Sequence, residues 1–408
     1  MSVPMPSLNT RAEVIMERRI GNDTELFIDA LRGIAALWVL LTHAVDLGIA
    51  RVYGWELLDN PVGWRWVRAI FGHGAFAVWA FFIISGLCIH QSIQRSIACG
   101  NFSWRRYTLA RVTRIYPLFL IGLALAVLTW FLTVGFQGDH GRFPWPQFGA
   151  SLFMLHGLTA SFPAYDPSWS LSNEMIYYVA WPAALLLCGG SGNRAARFSM
   201  IGALLISTGI LGCWKIFHRM ETSTAVEGVW TLAVLFPIWI AGAWLMSNWE
   251  EMRKRVSARV WLLFIPLCLA SVAVLAVVRF KGDYSCGLNT ASLTCIPGLM
   301  LLIAGGHHLR LSSCRWAGRV CGWLGRFSYP SYILHYQIML LIDCFWLSHE
   351  EGAFAHRPLL RAFLLLVPTL FVTAIFGPMI ESRIMAWRAR LLAKTSRRHY
   401  LPKSRIKQ

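Results

Sequence analysis

FIDALRGIAALWVLLTHAVDL, residues 27–47, decides the reading of this chain. At 1.5 Å per residue its length crosses the roughly 30 Å of hydrocarbon in a bilayer. Arg32 and His43 lie eleven positions apart in it. Eleven steps of 100° end about 20° past three full turns, so the two side chains share one helix face, roughly 16 Å apart along the axis. An ionisable group at that depth costs about 2.5–3.5 kcal/mol on insertion scales, which makes a functional site facing protein or trapped water the default reading. The plainer reading has Arg32 snorkelling and His43 as a hydrogen-bonded packing residue.

The rest of the chain supplies the same solvent. Of its 408 residues 56% are hydrophobic and 14% charged, with 20 Trp, 24 Phe and a mean hydropathy of +0.51. That leaves too few polar groups to cover a water-soluble globule. The fold class expected is an all-α polytopic membrane protein. Ten apolar runs qualify as transmembrane helices: 28–49, 70–92, 112–134, 169–188, 199–217, 227–247, 260–278, 288–306, 325–347 and 358–381. The eighth is interrupted by Pro297, Gly298 and Gly305.

Lys and Arg concentrate in alternate connections: Arg11, Arg18 and Arg19, then residues 93–114, 189–198, 248–259, 307–326 and 382–408. The positive-inside rule places both termini in the cytoplasm. It also accounts for much of the +18 charge, with no nucleic-acid motif and hence no nucleic-acid partner expected. The organisation expected is a cytoplasmic segment 1–26, a transmembrane domain 27–381 and a basic tail 382–408. Between Arg388 and Lys407 that tail can bind anionic lipid headgroups at about 1 kcal/mol per basic residue, or act simply as a topology anchor. Residues 1–27 mix Arg with Glu13, Glu17, Asp23 and Glu25, so no cleavable signal is expected and the first helix remains as an anchor. The ten cysteines show no CxxC or Cys/His spacing, and no metal site is expected; Cys286 and Cys295 are the one pair placed to bridge.

Polar residues recur beside the helices. Asp29 precedes Arg32 by three residues and Asp46 follows His43 by three, each within pairing reach on a helix. SWRRYTLARVTRIYPLF, residues 103–119, carries Arg105, Arg106, Arg111 and Arg114, a set of guanidinium forks suited to phosphates. WSLSNEMIYY, 169–178, puts Glu174 about a turn inside a helix beside Ser170, Tyr177 and Tyr178, where a carboxyl can exchange a proton or hold a hydroxyl. LGRFSYPSYILH, 324–335, adds Ser328, Tyr329, Tyr332 and His335, able to line a polar cavity or to pack helices. The connection 135–168, with Trp145, His156, Tyr165 and Asp166, offers aromatic faces that suit sugar rings or an interfacial belt.

Together with FFIISGLCI at 81–89, these stretches, in this order, make the chain resemble membrane-bound acyltransferase family 3, which includes bacterial O-acyltransferases of surface polysaccharide, lipopolysaccharide and nodulation factors. The resemblance spans about residues 25–385. The closing GPMIESRIMAW, 377–387, looks like the family's terminal acidic–basic signature but lacks the proline that often follows, so Glu381 and Arg383 are not assigned to the site. What the resemblance implies is a ten-helix acyl-CoA-dependent O-acyltransferase of the bacterial inner membrane, in stand-alone form. Its donor would be cytoplasmic acyl-CoA, acetyl-CoA first among the choices, with no permanently bound cofactor. Its acceptor would be a hydroxyl of an exported or cell-surface glycan, or of a small molecule. The catalytic residues carried over are His43, Arg32 and Glu174. Arg111 and Arg114, with Arg105 and Arg106, would bind the donor; Asp29, Ser170, Tyr177, Tyr329 and His335 would line the substrate path. His43 could act as a base for direct transfer or carry the acyl group as an acyl-imidazole. The competing class is a transporter or flippase without covalent chemistry, against which stands the lack of pseudo-symmetric halves.

Overall fold

The computed structural model describes residues 20–56, 60–72, 74–136, 142–216, 224–280, 295–347 and 357–400. Arg11, Arg18, Arg19, Cys286 and the tail beyond Tyr400 lie outside them. Among the described residues every regular element is helical. In chain order these are α1 (Asn22–Tyr53), α2 (Val62–Phe71), α3 (Gly74–Ala98), α4 (Trp104–Phe136), α5 (Trp145–Leu152), α6 (Trp169–Leu187), α7 (Gly192–Ile216), α8 (Thr224–Ser247), α9 (Trp249–Arg255) and α10 (Ala258–Phe280). Then follow α11 (Cys295–Ala304), α12 (Arg315–Ile342), a π turn at Asp343–Leu347, and α13 (Pro358–Tyr400).

Helices lie at or within all ten expected stretches, but among the described residues five are long and apolar enough to cross a membrane, or six if α9 and the start of α10, bent by 98°, form one span. The shortfall has a physical source in α6 and α12. They carry Ser170, Asn173 and Glu174, and Tyr329, Tyr332, His335 and Gln337, so the polar groups expected to build the site also lower the hydropathy of its helices. Residues 288–294 of the eighth run lie outside the described residues; among the described ones it forms the ten-residue α11, about 15 Å, half the hydrocarbon thickness. The basic tail begins inside α13, which continues helically to Tyr400.

Helix α1 is the centre of the bundle. Two-thirds of its apolar window is buried, against 28% for α13, and it packs on α3, α12 and α13. Small residues permit the approach: a Cβ on Gly33 would strike Leu324 of α12, and one on Gly325 would strike Asp29 of α1. The α3–α8 crossing is tighter still. A Cβ on Gly86 would overlap the Trp239 carbonyl, and one on Gly242 the Ile83 carbonyl. Outward faces carry exposed Leu128, Phe131, Leu204, Leu205, Leu263 and Phe371, an apolar surface that suits acyl chains.

Asp46 Oδ1 accepts from Arg68 Nε at 3.1 Å, and Arg68 also reaches Asn60 and the Trp55 carbonyl. Asp29 and Arg32 form no ion pair among the described residues, because the Asp29 carboxyl packs over Gly325 instead.

At the opposite end of α12 from Gly325, Asp343 is fully buried. Arg51 Nε donates to its Oδ2 at 2.7 Å, while Arg361 Nε and Nη2 donate to Oδ1 at 3.0 and 2.5 Å. One carboxylate thus clasps α1, α12 and α13. Removing it leaves the buried Arg361 guanidinium without its counter-charge, while Arg51 is exposed. Asp343→Ala is expected to cost about 3–5 kcal/mol, read as a lowered thermal unfolding midpoint of the detergent-purified protein.

Candidate functional site

Five helices close around a cavity of about 180 Å³. Each brings one of the motifs read in the sequence: α1 supplies Arg32, α3 Ser85 and Cys88, α4 Arg111 and Arg114, α6 Ser170, Glu174 and Tyr178, and α12 Tyr329 and Tyr332. Helical periodicity explains the selection within each segment. Ser170, Glu174 and Tyr178 are four apart, while Ser85 and Cys88, Arg111 and Arg114, and Tyr329 and Tyr332 are three apart, so each set shares a face.

Tyr177 is turned by about 100° from Tyr178 and leaves the cavity. Its hydroxyl donates to the Leu232 carbonyl at 2.8 Å and its ring stacks on Phe236. The expected substrate contact therefore passes from Tyr177 to Tyr178, whose hydroxyl donates to Glu174 Oε1 at 2.5 Å. Trp239 Nε1 donates to Ser85 Oγ at 3.1 Å, and Ser85 Oγ lies 3.2 Å from the Tyr178 oxygen. Because the single Tyr178 proton is on Glu174, Ser85 donates to Tyr178. The relay Trp239–Ser85–Tyr178–Glu174 thus aims every donor at one carboxyl.

A second relay orients the α12 side. The Tyr332 hydroxyl donates to the Pro167 carbonyl at 2.6 Å, so Ser170, also 2.6 Å away, donates to Tyr332. The Tyr329 hydroxyl lines the cavity with its proton already on the Ile115 carbonyl at 2.8 Å.

The arginines divide. Arg32 makes no ion pair within 4 Å among the described residues, and it and Arg111 are close enough to act electrostatically on Glu174. Arg111 Nη2 donates to Ser92 Oγ at 3.0 Å, its guanidinium lies 5.5 Å over the Tyr107 ring, and its buried Nε has no hydrogen-bond partner. Arg114 is already engaged: it pairs with Glu381 of α13 and lies 5.5 Å over Tyr329. Its expected role as a free phosphate fork is corrected accordingly. Glu381, buried to 4% exposure, is the functional-site neighbour missed in the sequence, although the acidic–basic signature at 377–387 marked its position. Arg383 is exposed. Arg105 and Arg106 are also exposed; Arg106 lines a second cavity at the α3–α4 turn, whereas Arg105 lines neither cavity, its helix position turning it away. With Arg32 and Arg111 against Glu174, and Arg114 neutralised, the first cavity keeps an excess of positive charge.

His43 is not in this cavity wall. It sits one layer beyond, with its ring 5.2 Å from His335 and 5.2 Å from Tyr336; His335 in turn lies 6.3 Å from the cavity residue Tyr332. The buried His335 Nδ1–H donates to the Ser331 carbonyl at 2.9 Å, leaving Nε2 without a partner. Asp29 also lines neither cavity. The structure therefore brings Arg32, Arg111, Arg114, Glu174, Ser170 and Tyr329 together and sets His43 and His335 behind Tyr332.

Of the connection before α6, Trp145 is exposed, but Tyr165 is buried with its hydroxyl donating to the Phe119 carbonyl at 2.8 Å. His156 stacks on Phe119 and shares its Nε2–H between the carbonyl and hydroxyl of Ser168; burial holds this imidazole below its ordinary pKa. Both residues brace α4 against α6. Among the described residues no group of three or more His, Cys, Asp or Glu side chains could hold a metal ion.

Residues 25–378 match the model of the Acyl_transf_3 family, described as an acyltransferase domain. No curated protein and no solved structure matches the chain.

The Arg114–Glu381 pair yields a direct expectation. Glu381→Gln should cost about 1.5–3 kcal/mol, the range for hydrogen bonds to charged groups. Thermal unfolding of Arg114→Gln, Glu381→Gln and the double variant should show less than additive loss.

Proposed function

Because the chain belongs to the Acyl_transf_3 family and is a membrane acyltransferase, we propose that it moves an acyl group, acetyl first among the choices, from acyl-CoA to a hydroxyl of an exported or cell-surface glycan. It does so as a ten-span protein of a bacterial inner membrane with both termini cytoplasmic. The observation that supports this reading is the convergence of five polar helix faces on one positively biased cavity with a histidine pair behind it. A carrier without chemistry has no need of a base placed beyond an anion-attracting cavity.

The spacing of Arg32 and His43 assigns their tasks. They are about 16 Å apart along α1, and Cβ vectors on a helix tilt the same way, so they cannot both touch one carbonyl. Arg32 and Arg111 therefore hold the donor, and His43 serves the acceptor. Glu174 shares its cavity with these arginines, so its partner is the donor arm rather than the imidazole. The donor threads from the basic end of α4 past Arg111, Arg32 and Glu174 toward Ser170 and Tyr332. The acceptor hydroxyl meets it from the His43 side.

In the transfer step His43, with a reference pKa near 6.5, accepts the hydroxyl proton as the oxygen bonds to the thioester carbonyl carbon. The tetrahedral adduct collapses by breaking the C–S bond. The imidazolium then returns its proton to the CoA sulfur, which leaves as the free thiol. His335 buttresses the His43 ring, and the surrounding apolar helices keep water from competing with the acceptor.

Cells carrying the wild-type chain, His43→Ala or no chain test this reading, with envelope glycans compared by mass spectrometry before and after mild alkali. An alkali-labile acyl increment is expected with the wild type only, the variant losing transfer by roughly 10²–10⁴-fold. Identical profiles in all three, with both proteins inserted, would overturn it. Direct transfer also requires that purified protein quenched with labelled acyl-CoA and no acceptor carry no covalent label; label on His43 would establish the acyl-imidazole route instead.

A further inference from the structure

The first turns of α12 carry an open groove of about 300 Å³, lined by Trp316, Arg319, Val320 and Trp323. These positions follow one another at helical spacing, so they share one face over about two turns. The α1 side of the same turns is occupied: Gly318 lies against Leu26 and Gly325 against Asp29. Trp316 and Trp323 stand two residues from those glycines, about 200° round the axis. The groove therefore opens away from α1 and its acids, and no carboxylate lines it. Seven residues after Trp323, Pro330 meets the Gly377 position of α13. Beyond Gly377, α13 pairs with α4 instead, through Glu381 on Arg114 and Arg388 on the Ala110 carbonyl, and no α13 residue lines the groove. The groove is the wedge left where α12 and α13 part.

Its depth is set by α1, whose apolar run begins after Asp23 and Glu25. The Ser312 N–H donates to the Asp23 carboxylate at 2.6 Å and Gly325 packs on Asp29, so the groove stands beside the polar start of α1, where hydrocarbon gives way to headgroups. Arg319 lies about 6 Å outward of Trp323 along the axis, which matches the roughly 5–8 Å of one headgroup layer. Arg315, Arg319 and Arg326 are exposed here and form no ion pair among the described residues. Among those residues Arg319 makes one hydrogen bond, from Nε to the Arg315 carbonyl at 3.4 Å, and its terminal nitrogens are open to an anion. Trp323 is braced from behind by its stack on Phe327, with ring centroids 5.1 Å apart. The charge selects the occupant. The tail 401–408 brings Lys403, Arg405 and Lys407, and a symmetric second copy would bring Arg319 against Arg319; both repel. We infer that the groove seats one anionic phospholipid, its phosphate on the Arg319 fork between Trp316 and Trp323 and its acyl chains in the wedge between α12 and α13. The inference rests on the reading of α12 as a transmembrane helix. Occupancy ties to the leaflet the first turns of the helix that carries Tyr329, Tyr332 and His335.

The test uses full-length protein in phosphatidylcholine nanodiscs doped with phosphatidylglycerol that carries a photoactivatable diazirine on its headgroup, with cross-linked peptides read by mass spectrometry. Label is expected on residues 315–323, and unlabelled phosphatidylglycerol should compete for it. Arg319→Gln should lower it by at least about fivefold, the factor that one basic residue carries at an anionic surface. Arg397→Gln combined with Arg398→Gln, in the basic tail, should leave it unchanged. In detergent, added phosphatidylglycerol should raise the thermal unfolding midpoint of the wild type more than that of Arg319→Gln, and the two should share one midpoint without lipid because Arg319 is exposed. Equal label from a phosphatidylcholine analogue, or label undiminished in Arg319→Gln, would overturn the site in favour of an ordinary aromatic belt. Protein–protein cross-links between the 315–323 peptides of two chains would overturn it in favour of a second copy. A phosphatidylcholine with its diazirine on the acyl chain should label α12 beyond Trp323; label on α1 but not on α12 would overturn the transmembrane reading of α12 on which the site rests.

Discussion

Hydrocarbon does not solvate charge, and every polar side chain at membrane depth in this protein must find its partners inside the bundle. At about 2.5–3.5 kcal/mol per ionisable group on insertion scales, the helices cannot be rotated freely about their axes. Arg32, Arg111, Arg114 and Glu174 pin the rotation of α1, α4 and α6, since each would face acyl chains in the opposite setting. The cavity is the place where those constraints meet. Its two hydroxyl relays, ending at Glu174 and at the Pro167 carbonyl, pair Trp239, Ser85, Tyr178, Ser170 and Tyr332 across α3, α6, α8 and α12.

Helix α13 shows how the same constraint holds an otherwise lipid-facing helix in place. Only 28% of its apolar window is buried, yet Arg361 near its start grips Asp343, and Glu381, about 30 Å further along the helix, grips Arg114. Apolar packing alone drives little association within a bilayer, because acyl chains compete equally for the surface. Two buried ion pairs set its register against α1, α12 and α4. Arg388 extends the same seam by donating to the Ala110 carbonyl.

Charge declines along the path from the α3–α4 turn inward. Three arginines line the outer cavity, arginines and one carboxylate the inner one, and beyond Tyr332 stand two imidazoles. Such a gradient suits a ligand with an anionic head and an uncharged reactive end. It also separates the imidazoles from the arginines, and one helix, α1, contributes to both with residues eleven positions apart.

The shared face of Arg32 and His43, the Arg111–Arg114 spacing, the all-helical class and the family resemblance were legible in the chain, because helical periodicity is a local property that spacing alone determines. Even Glu381 stood in a recognisable signature. What tertiary structure decided was which groups face one another across helices. It gave Arg114 to Glu381 rather than leaving it free, turned Asp46 to Arg68, sent Tyr177 to the Leu232 carbonyl while Tyr178 took Glu174, and placed His43 behind the cavity beside His335. Those choices depend on the azimuth and depth at which separate helices pack, set by contacts such as Gly33 on Leu324 and Gly325 on Asp29 between positions nearly three hundred residues apart. Spacing along one helix carries no information about the neighbour opposite, and that neighbour determines whether a charge is a clasp or a binding group.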